Sequence, residues 1–182
     1  KKKYVKQSKF NIPVICVGNI YLGGTGKTPL CIYIANALKK RKITIIRKHY
    51  ADHQDEYNLI KSKSCFLISK STREKGIREA ENKKFKIALL DDGFQDNSIE
   101  KNMNILCFNS NQLIGNGLLL PAGPLRDSLV SIKKAQIIVL NGRKNLNFEK
   151  KIYKISNKIK IFYSNYKPTN IKQFRNKKLF AF

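Results

Sequence analysis

The glycine-rich stretch VGNIYLGGTGKTPL, residues 17–30, contains the residue types that hold a phosphate. It combines four glycines with one lysine and two threonines. Between a strand and a helix, loop N–H groups and the helix N-terminus converge on an anion, a lysine adds positive charge, and a threonine hydroxyl can bind Mg²⁺. The stretch therefore predicts a site for a nucleoside triphosphate, in preference to a plain flexible turn.

The match of this stretch to the motif G-x-x-x-x-G-K-[ST] is close but incomplete. Gly26, Lys27 and Thr28 fit the motif, whereas Tyr21 stands where the first glycine is expected. The glycine pair at 23–24 still allows a phosphate to approach the backbone closely. The residues predicted to bind the nucleotide are Tyr21, Leu22, Gly23, Gly24, Thr25, Gly26, Lys27 and Thr28.

Apolar runs on both sides predict the elements that position this loop. IPVICVG, residues 12–18, is apolar and β-branched almost throughout, which is typical of a strand buried in a parallel sheet. TPLCIYIANALKKRK, residues 28–42, has apolar residues at helical spacing, and Pro29 fits the first turn of a helix. We therefore expect a helix that begins at Lys27. The spacing places Leu30, Ile34, Ala37 and Leu38 near one face of this helix.

Strand-like and helix-like segments alternate along the rest of the chain. This order predicts an α/β fold of the P-loop NTPase-like type, a doubly wound, mostly parallel sheet with helices on both faces and ligands at the carboxyl ends of its strands. Further strands are predicted at KITIIRK, SCFLIS, FKIALLDDG, MNILCFN, QIIVLNG and KIKIFYSNY, helices at DEYNLIKSK and TREKGIREAENKK, and a surface connection at GRKNLNFEKK. The predicted divisions are a basic tail (1–11), a P-loop core domain (12–145) and the start of a C-terminal region (146–182).

The stretch IALLDDGFQD, residues 87–96, is the second segment whose residues could do chemistry. Four apolar residues followed by an aspartate are typical of the strand that brings a carboxylate to Mg²⁺ in P-loop enzymes. We therefore predict that Asp91 and Thr28 bind Mg²⁺. Asp92 cannot point the same way from an extended strand, so we predict that it acts on the substrate or on a group around the metal. The alternative is an ordinary strand that ends in a turn.

The segment LIGNGLLLPAGPLRDSL, residues 113–129, is long, apolar and interrupted by glycine and proline. It is either a packed crossover loop or a wall of the substrate site. In the second interpretation Arg126 is placed to pair with a phosphate group.

The chain of 182 residues is strongly basic, with 37 Lys and Arg against 12 Asp and Glu and a net charge of +25. Such an excess suits anionic partners, although 30 of the 37 are lysine and biased codon usage alone could produce that pattern. The lysines are scattered, and neither an aromatic-plus-arginine RNA motif nor zinc-finger spacing accompanies them. We therefore expect no nucleic-acid partner.

The four cysteines lie far apart, at Cys16, Cys31, Cys65 and Cys107, which is neither a metal-ligand spacing nor a compact disulfide framework. They are predicted to be buried thiols in a reducing compartment. No apolar run approaches the length of a membrane-spanning helix, and the start KKKYVKQSK lacks a signal-peptide core. We expect a chain that is soluble or peripheral to a membrane.

Three motifs, GNIYLGGTGKTPL, DDGFQ and GNGLLLPAGPLRDSL, occur in this order and are followed by VLNG. With these motifs the chain resembles the tetraacyldisaccharide 4'-kinase family, the lipid A 4'-kinases of Gram-negative bacteria. The resemblance runs from residue 12 to residue 141. The loop of this family has the same GGTGKT form, and the resemblance therefore explains why Tyr21 stands in place of the first glycine of the general motif. The resemblance implies a kinase that uses ATP and Mg²⁺ to phosphorylate the 4'-hydroxyl of lipid A disaccharide 1-phosphate. It also implies a peripheral position on the anionic cytoplasmic face of the inner membrane.

The resemblance also implies roles for individual residues. Asp91 and Asp92 match the family's paired aspartates, and its Gly-Asp-Glu motif corresponds to Gln54, Asp55 and Glu56. This correspondence implies that Asp55 is the general base. Because the motif's glycine is absent and the family's Ser-Arg-Gly-Tyr-Gly segment is reduced to IRKHYADHQ, Asp92 is kept as a second catalytic candidate. The candidate substrate-contacting residues are Glu56, Gln95, Asn116 and Arg126.

The family pattern further includes an apolar N-terminal helix and a C-terminal half with a histidine that assists the aspartate. We therefore expect a chain that is shortened at both ends relative to the family, with His49 and His53 as nearby candidates for the histidine's role. Two alternatives to a kinase stay open, a P-loop switch or partitioning ATPase and a basic nucleic-acid-binding module. The segment LIGNGLLLPAGPL favours the kinase over both.

Overall fold

The computed structural model describes residues 7–63 and 65–165. The strands are β1 (Val14–Gly18), β2 (Ile43–Lys48), β3 (Leu67–Lys70), β4 (Ile87–Asp91), β5 (Met103–Asn109), β6 (Ile137–Asn141) and β7 (Lys160–Ser164). They form one sheet in the order β3-β2-β4-β1-β5-β6-β7, and every neighbouring pair is parallel. The helices are α1 (Lys27–Ala37), α2 (Gln54–Ser62), α3 (Arg73–Asn82) and α4 (Leu146–Ile155), with 3₁₀ segments at Lys39–Arg41 and Leu129–Lys134.

Helices cover both faces of this sheet. On one face α1 and α2 contribute Cys31 and Ile60 to a core with the strands. On the other face α3, α4 and the 3₁₀ segment Leu129–Lys134 contribute to a second core, which includes Ile77 and Phe148. The predicted doubly wound parallel sheet with helices on both faces is confirmed.

Helix α1 begins at Lys27 as predicted, but the face predicted from apolar spacing is not its most buried face. The buried residues are Thr28, Cys31, Ile32 and Ala35, whereas Leu30, Ile34 and Leu38 are half-buried and Ala37 is exposed. Apolar side chains occur on nearly every side of this helix, so their spacing did not identify the inner face. Packing against β1, β2 and β4 selects it.

The segment GRKNLNFEKK, predicted to be a surface connection, instead contains the start of α4. The side-chain oxygen of Asn145 accepts a hydrogen bond of 2.9 Å from the backbone N–H of Phe148, which is a typical N-cap. Phe148 and Ile152, four residues apart, are the buried residues of α4, and the ring of Phe148 packs edge-on to Phe108 at 5.0 Å. The division predicted after residue 145 stays a prediction, although α4 and β7 pack on the same sheet.

The sheet register brings the two chemically interesting segments together. β1 lies between β4 and β5, and Val17 is directly opposite Asp91 in the β1–β4 pair. The glycine-rich loop follows β1, and Asp92 follows β4. Because these strands are parallel, both segments leave the sheet at its carboxyl edge.

Three of the four cysteines, Cys16, Cys31 and Cys107, are buried, whereas Cys65 is half-buried, and all four are free thiols. Burial raises the pKa of both Cys16 and Cys107 to about 12, so these thiols are inert at neutral pH. Within the described residues, no helix is long and apolar enough to cross a membrane. Three predicted segments lie partly outside the described residues. These are the tail at residues 1–6, the strand SCFLIS at residue 64 and the C-terminal region at residues 166–182.

Candidate active site

A cleft of about 610 Å³ opens at the carboxyl edge of the sheet, over the glycine-rich loop. Its lining consists of loop residues 23–28 with Pro29, Arg47, His53, Glu56, Leu59 and Asp92. Most of the predicted nucleotide-binding residues therefore lie in one concave site. The lining carries two cations, Lys27 and Arg47, each paired with a carboxylate of the lining, Asp92 and Glu56 respectively.

The loop has the backbone conformation that its glycines allow. Gly23 has a φ of 117° and Gly26 a φ of 89°, both in the left-handed region that side chains disfavour. A Cβ atom added at Gly23 or Gly24 would meet nothing within 4 Å, so the loop leaves open space on that side. A ligand can therefore approach the backbone of the loop closely on that side.

Tyr21 replaces the first glycine because the chain is extended at that position. It forms an antiparallel bridge with Leu125, and the N–H of Leu22 donates to the carbonyl of Pro124 at 2.8 Å. The N–H of Arg126 in turn donates to the carbonyl of Ile20 at 2.7 Å. Residues 124–126, within the segment 113–129, thus pair with residues 20–22 at the start of the loop through isolated backbone contacts.

Two buried asparagines hold the loop in place, and sequence reasoning missed both. The side-chain N–H of Asn19 donates to the carbonyl of Tyr21 at 2.6 Å and to the hydroxyl of Thr25 at 3.0 Å. Asn141, at the end of β6, donates to the carbonyl of Thr25 and accepts from the hydroxyl of Ser164. A polar residue directly after a buried apolar strand, in VGN and in VLN, is the signal that could have identified them.

Thr28 and Asp91, the predicted Mg²⁺ ligands, are in contact. The Thr28 hydroxyl donates to Asp91 Oδ2 at 2.9 Å, and the guanidinium of Arg47 lies 3.2 Å from the same oxygen. Asp91 is 1% exposed, and its other oxygen, Oδ1, has no hydrogen-bond partner among the described residues. Burial raises the pKa of Asp91, although Arg47 and the Thr28 hydrogen bond oppose this shift.

Arg47, at the end of β2, is a site residue that sequence reasoning did not identify. Besides Asp91, its guanidinium contacts the carboxylate of Glu56 and lies 3.4 Å from His53 Nδ1. Burial disfavours its charge, but Asp91 and Glu56 outweigh this effect and raise its pKa. Arg47 therefore connects the Asp91 side of the cleft to the first turn of α2.

Asp92 contacts the loop lysine, which corrects one expectation. Its φ is 60°, so the backbone is left-handed and not extended as assumed. As a result Asp92 Oδ1 lies 3.9 Å from Lys27 Nζ, directly beside the contact of Asp91 with Thr28. Arg73, on α3, donates to the carbonyl of Asp92 at 2.5 Å and supports this turn.

Arg126 and Gln95 lie close to the loop. Arg126 donates to both carboxylate oxygens of Asp92 at 3.0 and 3.2 Å and to Asn19 Oδ1 at 3.0 Å. Gln95 donates to the carbonyl of Asn19 at 2.8 Å, while its Oε1 has no hydrogen-bond partner among the described residues. Arg126 thus contacts the lining residue Asp92, whereas Gln95 contacts Asn19, which holds the loop in place.

Seven of the predicted site residues do not line the cleft itself, namely Tyr21, Leu22, Asp55, Asp91, Gln95, Asn116 and Arg126. Asp55 is exposed on the first turn of α2, next to the lining residue Glu56. Asn116 donates to the carbonyl of Ala122 and accepts from the N–H of Leu118, both at 3.1 Å, within its own loop. Their predicted roles stay predictions.

The sequence matches one protein family over nearly its whole length. The model of the family described as Tetraacyldisaccharide-1-P 4'-kinase matches residues 1–65 and 47–181. A tetraacyldisaccharide 4'-kinase of Pelagibacter ubique is 41% identical over 177 residues, which are 95% of this chain and 56% of that protein. One of Chlamydia abortus is 34% identical over 174 residues, covering 82% of this chain and 47% of its own length. The chain thus spans about half the length of the curated relatives it matches.

Solved structures show the same fold. LpxK of Aquifex aeolicus, crystallised in complex with ATP, superposes with a TM-score of 0.67 at 22% identity, covering 97% of this chain and 77% of that one. The hydrogenase maturation factor HypB of Archaeoglobus fulgidus gives a TM-score of 0.60 at 12% identity, covering 85% and 81%. At such identities the likeness concerns the fold alone, which is that of P-loop NTPases.

Proposed function

The chain belongs to the tetraacyldisaccharide-1-P 4'-kinase family, and from this premise we propose that it is the nucleotide-binding part of a lipid A 4'-kinase. In this proposal the γ-phosphoryl group of ATP is transferred to the 4'-hydroxyl of tetraacyldisaccharide 1-phosphate. The observation that carries it is the pairing of Lys27 with Asp92 and of Thr28 with Asp91 over one cleft. Phosphoryl transfer needs such positioning and charge neutralisation more than covalent chemistry.

ATP binding is proposed for the loop residues 21–28. Gly23 and Gly26 have φ values that side chains disfavour, as in glycine-rich loops that bind phosphates, and Lys27 supplies the charge for the β- and γ-phosphates. The hydrogen bonds from Asn19 and Asn141 hold the loop in this shape before a ligand arrives. A loop that is already ordered loses little entropy when it binds.

Mg²⁺ is proposed to bind at Thr28 and Asp91, and the residues fit such an ion. Asp91 Oδ1 is buried without a hydrogen-bond partner among the described residues, and the hydroxyl of Thr28 is a second oxygen donor beside it. Mg²⁺ in kinases is held by one or two carboxylates together with phosphate oxygens, where it neutralises the charge that develops during transfer. Arg47 holds the carboxylate of Asp91 in orientation at 3.2 Å.

The proton of the attacking hydroxyl needs a carboxylate acceptor, and two are proposed. Asp92 lies beside Lys27 inside the cleft, and Asp55 lies at its rim on α2. A carboxylate within hydrogen-bond reach of the hydroxyl accepts its proton as the new P–O bond forms. Glu56, Gln95, Asn116 and Arg126 remain the proposed substrate contacts, and Arg126 orients Asp92 through two hydrogen bonds.

A lipid substrate and the charge of +25 also support a peripheral position on the cytoplasmic face of a Gram-negative inner membrane. Anionic lipid attracts a basic protein by roughly 1 kcal/mol per Lys or Arg near the surface. No nucleic-acid partner is proposed.

The test of this function is incubation of the intact protein with radiolabelled ATP, Mg²⁺ and tetraacyldisaccharide 1-phosphate. Labelled lipid is the expected product. ATP hydrolysis without labelled lipid would instead support a switch or partitioning ATPase. Salt-sensitive binding to DNA or RNA that ignores ATP would support a nucleic-acid-binding module.

The two adjacent aspartates are expected to differ in their mutant phenotypes. Asp91→Asn should raise the Mg²⁺ concentration for half-maximal activity by about 10- to 100-fold, because it removes a carboxylate at the ion while keeping an oxygen for Thr28. Asp92→Asn, the matched control, should leave that concentration unchanged and lower turnover at saturating Mg²⁺, because Asp92 contacts Lys27 and Arg126. Titration of initial rates with Mg²⁺ measures both. An equal Mg²⁺ dependence in the two variants would show that these roles are assigned wrongly.

A further inference from the structure

Five consecutive apolar residues, Leu118 to Ala122, are exposed to solvent, and we call them the apolar run. Its leucines Leu118, Leu119 and Leu120 are 52%, 48% and 50% exposed. Exposed apolar side chains that occur singly are ordinary, but a continuous exposed run marks an interaction surface. The apolar run is therefore expected to have a partner.

The loop that carries the apolar run has a defined shape. Its backbone donor–acceptor pairs are Gly123 to Leu119 at 2.9 Å, Leu120 to Leu125 at 2.9 Å and Leu125 to Leu118 at 3.1 Å. A Cβ atom at Gly123 would lie 2.5 Å from the carbonyl oxygen of Leu118, so the chain folds back closely enough to require glycine there. Since the backbone groups are paired, the leucines are presented outward by a built loop.

An apolar cleft with positive charges lies next to the apolar run. The cleft has a volume of about 480 Å³ and lies between residues 114–117, the 3₁₀ segment Leu129–Lys134 and α4. Its lining includes the apolar side chains of Ile114, Leu129, Ile132, Phe148, Ile152 and Ile155. Lys151 and Lys154, both exposed, complete it on the α4 side. This cleft thus combines apolar surface with positive charge, the two features that bind a lipid with an anionic headgroup.

The position of this surface relates it to the proposed site. Leu125 and Arg126, which directly follow the loop, pair with Tyr21 and Ile20 at the entry to the glycine-rich loop. The apolar run therefore stands at the carboxyl edge of the sheet, the edge that carries the cleft for the nucleotide. If a membrane binds the protein at the apolar run, the hydroxyl group of a lipid in that membrane lies at the same edge of the sheet as the cleft for the nucleotide.

We propose that the apolar run, with Lys151 and Lys154, docks this chain on a bilayer that contains anionic lipids. The leucines enter the interface between headgroups and acyl chains, and the two lysines contact headgroup phosphates. A second copy of the chain is the less suitable partner, because both copies would carry a net charge of +25. The inference deepens the proposed function, on which it rests, by assigning the membrane contact to one surface.

The test is co-sedimentation of the intact protein with vesicles of phosphatidylethanolamine and phosphatidylglycerol. The triple variant Leu118→Ser, Leu119→Ser, Leu120→Ser should bind these vesicles about tenfold or more weakly, with ATP affinity and melting temperature unchanged. Lys151→Gln and Lys154→Gln should each weaken binding about fivefold, and should have no effect with phosphatidylcholine vesicles. The matched control is Phe66→Ser, which removes an equally exposed apolar side chain just before the amino end of β3, at the opposite edge of the sheet.

Several outcomes would overturn the docking surface. One is a triple variant that binds vesicles as tightly as the wild type, and another is a wild type that ignores vesicles while it phosphorylates detergent-dispersed lipid. A wild-type dimer that the leucine substitutions convert to a monomer would show that the run binds protein instead. Conversely, the wild type could sediment with vesicles, lose this binding in the triple leucine variant, and yet phosphorylate no detergent-dispersed lipid. That result would refute the kinase and support the docking surface.

Discussion

Lys27→Ala is expected to lower the rate of lipid phosphorylation by about 10³-fold or more. The reason is electrostatic, because Lys27 is the loop's own cation, is largely buried in the cleft and is held 3.9 Å from Asp92. Charges that are placed in advance at a phosphoryl group account for a large part of catalysis at such sites. Single-turnover measurements with saturating ATP and Mg²⁺ would determine the rate of the chemical step.

The matched control for this variant is Lys9→Ala. Lys9 also forms an ion pair, with Glu100 at 3.6 Å, but it is highly exposed and belongs to a separate part of the surface. Its substitution removes the same charge from the chain and should leave the rate within error of the wild type. Phosphorylation at the wild-type rate by Lys27→Ala would contradict the assignment of the loop to ATP.

Asp55→Ala and Asp55→Asn are both expected to lower the chemical step by roughly 10²- to 10⁴-fold, the usual effect of removing a general base. Nucleotide binding should persist, because Asp55 does not line the cleft that the glycine-rich loop forms. The alternative is that Asp55 caps α2. In the structure the N-cap position of α2 is His53, and no side chain makes a capping hydrogen bond there. The rate and the ATP dissociation constant should be measured for each variant.

Asp52→Asn provides the control for this pair, since Asp52 is also exposed and precedes the same helix. It should change neither the rate nor the affinity. If Asp55→Asn keeps full activity and Asp55→Ala loses only thermal stability, the side chain supports the helix terminus. Asp92 would then be the general base, because its carboxylate already lies within the cleft.

Local sequence patterns predicted most of the sheet. β5 has the bounds of the segment MNILCFN, and each of the other predicted strands overlaps a strand of the structure within the described residues. β1, β2, β4, β5 and β6 are largely buried on both faces, so their apolar runs are continuous and easy to recognise. α4 was missed because the predicted connection GRKNLNFEKK is mostly polar and ends at residue 151, which separates Phe148 from Ile152, the other buried residue of the helix.

The candidate site was predictable only in part, since its residues fall into two kinds. The glycine-rich loop and Asp91 belong to motifs whose members are close in sequence. Arg47 and Asn141 lie at the ends of β2 and β6, and no spacing relates them to the loop, whereas Asn19 lies within the stretch 17–30 but matches no position of the motif. Asp92 was predicted as a functional residue, but its contact with Lys27 depends on a left-handed backbone that the pattern did not indicate.

By itself the sequence predicted a phosphate-binding loop and determined the alternation of strands and helices and the family, because each of these depends on residues that are neighbours along the chain. Only the tertiary structure decided which side chains surround the loop. Parallel pairing of β1 with β4 and β5 places segments from distant parts of the chain at one edge of the sheet. The tertiary structure also decided that Leu118, Leu119 and Leu120 are exposed to solvent. The loop that carries them closes on itself through backbone hydrogen bonds and does not place these side chains in the core.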